Sequence, residues 1–346
     1  MNVGILGIGF MGMIHYLAYQ KLRGVRVAAI CTRNQKRLAG DWRGIQGNFG
    51  PPGEKMDLSG VAKYAELDQM LADPQIDVVD IALPPGRHAE AAIKSFKAGK
   101  HVFCEKPMAL TRRECQQMSA AAEKSGKLLM IGHTLPFFPE YAWAYKAVTS
   151  GKYGALLGGS FKRVIADPQW LPDYYDPLRV GGPMLDLHVH DAHYLRLLFG
   201  MPIQVSSQGR MRGEVVESWN TQFRFENPDL TVSAASGVIR QQGRPFTHGF
   251  EIQLEKATLA YEFAVIGGEP RLLMPLTLFD ARGKATEPKL GPGDPLHAFE
   301  SEIKEVARAV RSGQNSPILA GALAQDAVVL CHKQTQSVMS DKPIRV

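Results

Sequence analysis

The chain has 346 residues, of which 45% are apolar and 21% charged, with a formal net charge of +6. This length favours two domains, and the balance is that of a globular protein with a sizeable core. No dense Lys/Arg block and no run of about 18 or more apolar residues occurs, which sets aside a nucleic-acid partner and a membrane span.

The four cysteines, Cys31, Cys104, Cys115 and Cys331, are scattered and form no C-x-x-C pair. They read as reduced thiols of a cytoplasmic protein. The apolar start lacks a basic n-region and a small-residue cleavage site, so no secretory signal is expected.

The first element is an apolar strand, Val3 to Leu6. Gly7, Gly9 and Gly12 follow in the spacing G-x-G-x-x-G, with Phe10 and Met11 between them, and a helical run then extends to Leu22. Gly7 suits the tight turn, Gly9 lets a pyrophosphate approach the backbone, and Gly12 lets helix and strand pack closely. The helix start offers N–H groups and a positive dipole end to phosphate. Strand before and helix after is the context a dinucleotide site requires.

A second strand, Val25 to Cys31, ends in Thr32-Arg33-Asn34. A carboxylate at this position would bind the ribose 2′-hydroxyl of NAD. A hydroxyl followed by a guanidinium suits a 2′-phosphate better, so NADP is favoured over NAD. Residues 40–60 carry six glycines and Pro51-Pro52 and read as a tolerated surface insertion, with a flap or an oligomer contact as the other possibilities.

Alternation then resumes: helix Glu66 to Leu71, strand Val78 to Ala82, helix Arg87 to Ala98, strand His101 to Cys104, helix Thr111 to Ser125 and strand Leu128 to Ile131. The pattern predicts a doubly wound parallel sheet over residues 1–133. Ligands bind beyond the carboxyl ends of such strands, which points to Leu83-Pro84-Pro85, to Glu105-Lys106-Pro107 and to His133. Lys106 suits hydrogen bonds to a substrate hydroxyl and a nicotinamide ribose.

Residues 134–346 read as a second α/β domain with an open, largely antiparallel sheet. Its strands are Leu156 to Ile165, Gln204 to Met211, Asn220 to Phe225, Thr231 to Ile239, Phe250 to Leu254 and Leu259 to Phe263. A helix over Tyr141 to Thr149 precedes them, and helices over Pro295 to Val310 and Gly321 to Met339 close the chain, the last a candidate to pack back on the first domain. Within Gly181 to His193, Gly182 as N-cap and Pro183 at the first helical position predict a helix that stacks Asp186 and His190 at i and i+4. An imidazole oriented by a carboxylate is a sound general base for an alcohol. His188, His190 and His193 do not share one face, so no metal site is expected. No G-x-S-x-G signals a serine nucleophile.

Together, Gly7 to Gly12 followed by His15, Asp77 to Ala82, His88, Gly99 to Pro107, and Gly181-Gly182 with Asp186 and His190 resemble the glucose–fructose oxidoreductase / inositol dehydrogenase / MocA (Gfo/Idh/MocA) family over essentially the whole chain. The resemblance implies a Rossmann domain and an α/β domain whose sheet face serves in homodimers or homotetramers. It implies hydride transfer between a nicotinamide cofactor and a sugar, polyol or related alcohol. Lys106 then acts as substrate and cofactor ligand, Asp186 as substrate ligand and His190 as acid/base. Leu83, Pro84, His88 and Glu105 join the glycine loop around the cofactor. His133, Arg163, Trp170 and His193 complete the substrate pocket by position and chemistry. Thr32, Pro85, Pro136 and His193 depart from the usual family residues. Two rivals are a redox-assisted lyase that retains its cofactor and a cofactor-binding sensor without chemistry.

Overall fold

The computed structural model describes residues 1–47, 49–291 and 293–346. In chain order the elements begin with β1 (Asn2–Leu6), α1 (Phe10–Gln20), β2 (Arg26–Cys31), α2 (Gln35–Leu38), β3 (Ala62–Tyr64), α3 (Leu67–Leu71), β4 (Val78–Ile81), α4 (His88–Lys97), β5 (His101–Glu105), α5 (Arg112–Ser125) and β6 (Leu129–Gly132). They continue with α6 (Pro139–Thr149), β7 (Leu156–Ala166), α7 (Gly182–Asp186), α8 (Val189–Phe199), β8 (Gln204–Arg212), β9 (Val215–Arg224), β10 (Thr231–Ile239), β11 (Phe246–Leu254), β12 (Ala257–Ile266), β13 (Glu269–Asp280) and β14 (Ala285–Thr286). The last are α9 (Pro295–Ser312), α10 (Gly321–Ser340) and β15 (Ile344–Arg345).

Two compact units result. One is Met1–Phe138 with Pro292–Gln325, the other Pro139–Gly291 with Asp326–Val346. This differs from the expected single boundary after residue 133, and the helix that joins the first unit is α9 more than the last helix. Its Phe299, Ile303, Val306 and Ala309 enter the core that holds Ile5, Ile14 and Tyr19. Those positions recur at helical spacing, so one stripe of α9 buries its apolar side chains on that core.

Among the described residues, the first unit holds a six-stranded sheet in the order β3-β2-β1-β4-β5-β6, parallel throughout. The order reverses between β1 and β4, so a crevice opens beyond their carboxyl ends. Helix α5 shows how local chemistry sets the element ends. Thr111 and Glu114 form a reciprocal capping box, and Gly126 closes the helix in the left-handed conformation.

The segment 40–60 is not a surface insertion. Trp42, Ile45 and Leu58 are buried in the core of the unit. Trp42 meets the Tyr16 ring edge-on at 5.0 Å and donates its indole N–H to the Arg37 carbonyl at 2.8 Å. Backbone bonds from Trp42 N to Glu54 O and from Gly53 N to Ile45 O fold the loop on itself. Its glycines and prolines disrupt helix and strand while its few large apolar residues plug the core. Asn48 of this segment lies outside the described residues.

The second unit holds a nine-stranded sheet, β14-β13-β12-β11-β7-β10-β9-β8-β15, again among the described residues. Only the β7–β10 pairing is parallel. Strands β9, β11 and β12 begin earlier than their alternation suggested. Strand β13 was not foreseen, because Pro270 and Pro275 argue against a strand. They are tolerated there because β14 pairs only with Leu278 and Phe279, leaving that stretch as an edge.

Candidate active site

The turn after β1 shows why three glycines are needed. Gly7 has φ +98°, and a Cβ there would lie 2.6 Å from the Ala82 carbonyl oxygen. A Cβ on Gly12 would lie 2.0 Å from the Gly7 carbonyl oxygen. Gly9 is different, since a Cβ there would meet nothing within 4 Å. Gly9 is also the N-cap of α1, with no side-chain cap and no acidic residue in the first turn. A helix start with no side-chain cap and no acidic first turn, at a glycine whose Cβ direction is open, suits a pyrophosphate. Phe10 and Met11 sit half-buried at this helix start, Phe10 edge-on to Phe49 at 4.9 Å.

At the end of β2, Thr32 accepts a bond from Asn34 N at 3.3 Å. Arg33 is exposed and lies 3.6 Å from Glu66, so a carboxylate shares its charge. Arg37, not singled out from the sequence, donates to the Ile8 carbonyl in the glycine loop at 2.7 Å. Its only signal in the sequence was a second basic residue in the short helix that follows Thr32-Arg33.

Beyond β4 and β5 the expected residues divide. Leu83 and Lys106 are partly exposed and Pro84 exposed. His88 is fully buried, with Nδ1 2.9 Å from the Pro107 carbonyl and Nε2 2.7 Å from the Leu83 carbonyl. Burial lowers the pKa of its imidazole. The expectation that His88 binds cofactor is corrected: both ring nitrogens face backbone carbonyls, and the neutral ring, wedged between the loops that carry Leu83 and Lys106, donates its one N–H to one of the two. Glu105, also expected at the cofactor, is 6% exposed and accepts from the Lys106 backbone N–H at 3.1 Å.

A buried polar group lies behind these loops. His15 Nδ1 lies 3.0 Å from both Asp80 carboxylate oxygens, and its Nε2 lies 3.0 Å from Glu105 Oε1. Glu302 on α9 is fully buried beside them and accepts from the Thr134 hydroxyl at 2.8 Å. Burial, reinforced by the Glu105 charge, pushes the Glu302 carboxyl up to about 8. Sequence reasoning missed Glu302, since a lone glutamate on an amphipathic helix carries no signal of burial. His133, placed in the pocket by sequence, is fully buried in this unit.

In the second unit the expected single helix is broken. Helix α7 ends at Asp186 and α8 starts at Val189, with a turn at Leu187-His188. His188 N bonds back to Pro183 O, one residue wider than α-helical spacing. Asp186 and His190 therefore do not stack on one regular helix, and both are partly exposed. The start is set by Gly181 as N-cap and by Gly182, whose Cβ would come 2.8 Å from the Val215 Cβ.

The residues expected to line the substrate pocket are mostly interior. Arg163 is 4% exposed and spends Nε and Nη2 on the Asp191 carboxylate, at 2.5 and 3.1 Å. It is thus a buried structural pair and not a free substrate ligand. His193 is fully buried, whereas Trp170 is 67% exposed. His188 bonds the Ser236 hydroxyl through Nδ1 at 2.8 Å, and burial pushes its imidazole down to about 4. The four thiols are buried, and burial pushes Cys31 up to about 11 and Cys115 up to about 12. Among the described residues no group of three His, Cys, Asp or Glu side chains is placed to hold a metal. Nor, among the described residues, is any helix long and apolar enough to cross a membrane.

A parallel sheet in this strand order, with an uncapped helix start open at Gly9, defines a dinucleotide-binding Rossmann protein coupled to a mixed α/β unit. The family models for "Oxidoreductase family, NAD-binding Rossmann fold" and "GFO/IDH/MocA C-terminal domain" match residues 1–133 and 141–260. The chain belongs to the GFO/IDH/MocA oxidoreductase family. It is 27% identical over 276 residues to a 1,5-anhydro-D-fructose reductase of Ensifer adhaerens, covering 76% of this chain and 78% of the relative. It is 26% identical to the scyllo-inositol 2-dehydrogenase (NAD(+)) of Bacillus subtilis, covering 83% of each. Against a 1-carboxy-3-chloro-3,4-dihydroxycyclohexa-1,5-diene dehydrogenase of Comamonas testosteroni, 29% identical, the match covers 60% of this chain and only half of the relative. A levoglucosan dehydrogenase solved with NADH and levoglucosan shares the fold, with a TM-score of 0.79 at 22% identity, covering 100% of this chain and 99% of that one.

Proposed function

We propose that the chain transfers hydride between a nicotinamide cofactor and a hydroxyl or keto carbon of a sugar, polyol or sugar derivative. The observation that carries the reading is the open cradle at Gly9 in a chain of this oxidoreductase family. Relatives named for anhydrofructose, inositol and levoglucosan support the sugar-like class. Gly7, Gly9 and Gly12 with the first turn of α1 hold the pyrophosphate. A bound nicotinamide supplies the hydride acceptor or donor. The Lys106 ammonium donates to the substrate oxygen and stabilises charge developing there. His190 takes the hydroxyl proton, and Asp186 holds a substrate hydroxyl.

NADP is the preferred cofactor in this reading. The end of β2 carries Thr32 and Arg33 and no carboxylate, and Arg37 adds a second guanidinium beside the glycine loop. The protein works in the cytoplasm as a homodimer or homotetramer. Its buried reduced thiols fit that compartment, and its open sheet leaves Ser160, Asn220, Gln222 and Glu251 exposed on one face.

The test is fluorescence titration with NADPH and NADH, after inspecting the purified protein for the absorption band of retained reduced nicotinamide. Exchangeable binding that favours NADPH, followed by turnover on a panel of sugars and polyols, is the expected result. Thr32→Asp should reverse the preference. Binding of neither nucleotide would refute the function.

A further inference from the structure

We propose that His15 is a buried cation that positions Glu105, and through it the backbone of Lys106, so that the phosphate-binding helix and the lysine loop are set by one side chain. The inference rests on the dehydrogenase reading above. His15 sits on α1, between one and two turns beyond Gly9, and is fully buried. Its two ring nitrogens face two different carboxylates, Asp80 at the end of β4 and Glu105 at the end of β5, each at 3.0 Å. The Glu105 approach is at ion-pair distance without being a straight hydrogen bond.

A neutral imidazole has one N–H and could serve only one of these partners. Two buried carboxylates with no cation between them would be costly. The geometry therefore calls for a proton on both nitrogens. Burial opposes that charge, yet Asp80 and Glu105 hold the imidazole well above its usual range. The Phe103 ring stacks on it at 5.3 Å and shields the pair from water. The other ionisable groups packed around it are Tyr19, whose phenol burial holds neutral, and Glu302, which keeps its proton at neutral pH. With Glu302 uncharged, one imidazolium stands between two carboxylates.

The far oxygen of Glu105 accepts the Lys106 N–H. One carboxylate thus reads the position of His15 on one side and fixes the lysine backbone on the other. His15 is a positioning residue, since nothing places it against cofactor or substrate.

Two isosteric variants separate this role from simple packing. In His15→Asn the amide keeps a donor near the Nδ1 place, facing Asp80, and loses Glu105. In His15→Gln the amide reaches the Nε2 place, facing Glu105. NADPH and NADH titration should show about tenfold weaker binding for His15→Asn than for His15→Gln. Glu105→Gln should match His15→Asn, and the double variant should bind no more weakly than either single one, as expected for groups acting through one contact. In the wild-type protein the nitrogen shifts of His15 should report two protonated ring nitrogens through pH 8, a readout that needs no variant to fold.

A folded His15→Asn protein with wild-type affinity, or additive losses in the double variant, overturns the positioning role. A single protonated ring nitrogen overturns the cation. Wild-type protein that binds neither nucleotide sinks the dehydrogenase reading and this role with it, whereas wild-type binding with an unimpaired His15→Asn sinks the role alone.

Discussion

Gly9→Ala and Gly12→Ala should separate binding from folding three residues apart. A methyl on Gly12 would sit 2.0 Å from the Gly7 carbonyl oxygen, about 1 Å inside the closest approach that carbon tolerates. Backbone must move, and overpacking of this kind costs about 1–3 kcal/mol or somewhat more. A methyl on Gly9 meets nothing within 4 Å, and its φ of −101° with ψ of −158° is open to alanine. Alanine caps a helix less well than glycine, but it also reduces the freedom of the unfolded chain, so the net change should stay within about 0.5 kcal/mol. The same methyl occupies the approach to the α1 amides. Nucleotide affinity should fall at least tenfold, or about 1.4 kcal/mol. Urea unfolding of each variant beside NADPH and NADH titration makes the comparison. Gly9→Ala protein that binds like wild type, or that loses as much stability as Gly12→Ala, would refute the assignment of Gly9 to the pyrophosphate.

Other outcomes follow from the same geometry. Lys106→Ala and His190→Ala should each lower kcat by roughly 10² to 10⁴ on whichever sugar or polyol is turned over, with nucleotide titration showing that cofactor still binds. Trp42→Ala should cost about 3–5 kcal/mol by urea unfolding, because the indole is fully buried in the core; a change below 1 kcal/mol would return the 40–60 segment to a surface role. Arg163→Ala should cost about 3–5 kcal/mol by leaving Asp191 buried and unpaired, and Arg163→Met with Asp191→Leu should recover much of that loss in the same assay. The pH dependence has two limbs. The unfolded chain protonates His188 below 6.5 and the folded protein only below about 4, so stability falls by roughly 3 kcal/mol as pH drops through that window. Folded Glu302 keeps its proton to about 8 while the unfolded carboxyl loses it above 4.5, so stability also falls as pH rises from 4.5 through 8. Thermal melts of His188→Asn should lose the acid limb, and those of Glu302→Gln the neutral-to-alkaline one.

The sequence exposed the parts of this fold that are written in short-range pattern. The parallel strands read as apolar runs, the helices carried Thr111 and Gly126 at their ends, and the three glycines had distinct tasks that the turn geometry matches. What stayed hidden depends on distant partners. Trp42 looked like part of a Gly/Pro-rich insertion because nothing local says that Tyr16 receives its ring. His88 and Arg163 have the chemistry of ligands, and only the fold reveals that the Leu83 and Pro107 carbonyls and the Asp191 carboxylate already claim them. The helix break at Leu187-His188 escaped notice because no proline or glycine marks it. Glu302 was invisible for the opposite reason, since its neighbours in sequence are an ordinary amphipathic helix.

Helix α9 completes the core of the first unit although most of the chain separates it from α1. During synthesis the residues of the nucleotide cradle emerge first, yet Phe299, Ile303, Val306 and Ala309 arrive only when nearly the whole polypeptide has been made. Until then, an oily stripe along α1 stands bare to the solvent. The dinucleotide unit cannot mature in step with its own translation, and a fragment that stops at residue 138 should clump or be captured by chaperones. Supplying residues 293–325 as a separate peptide should rescue it, which makes a late-made helix the gatekeeper of the first-made fold.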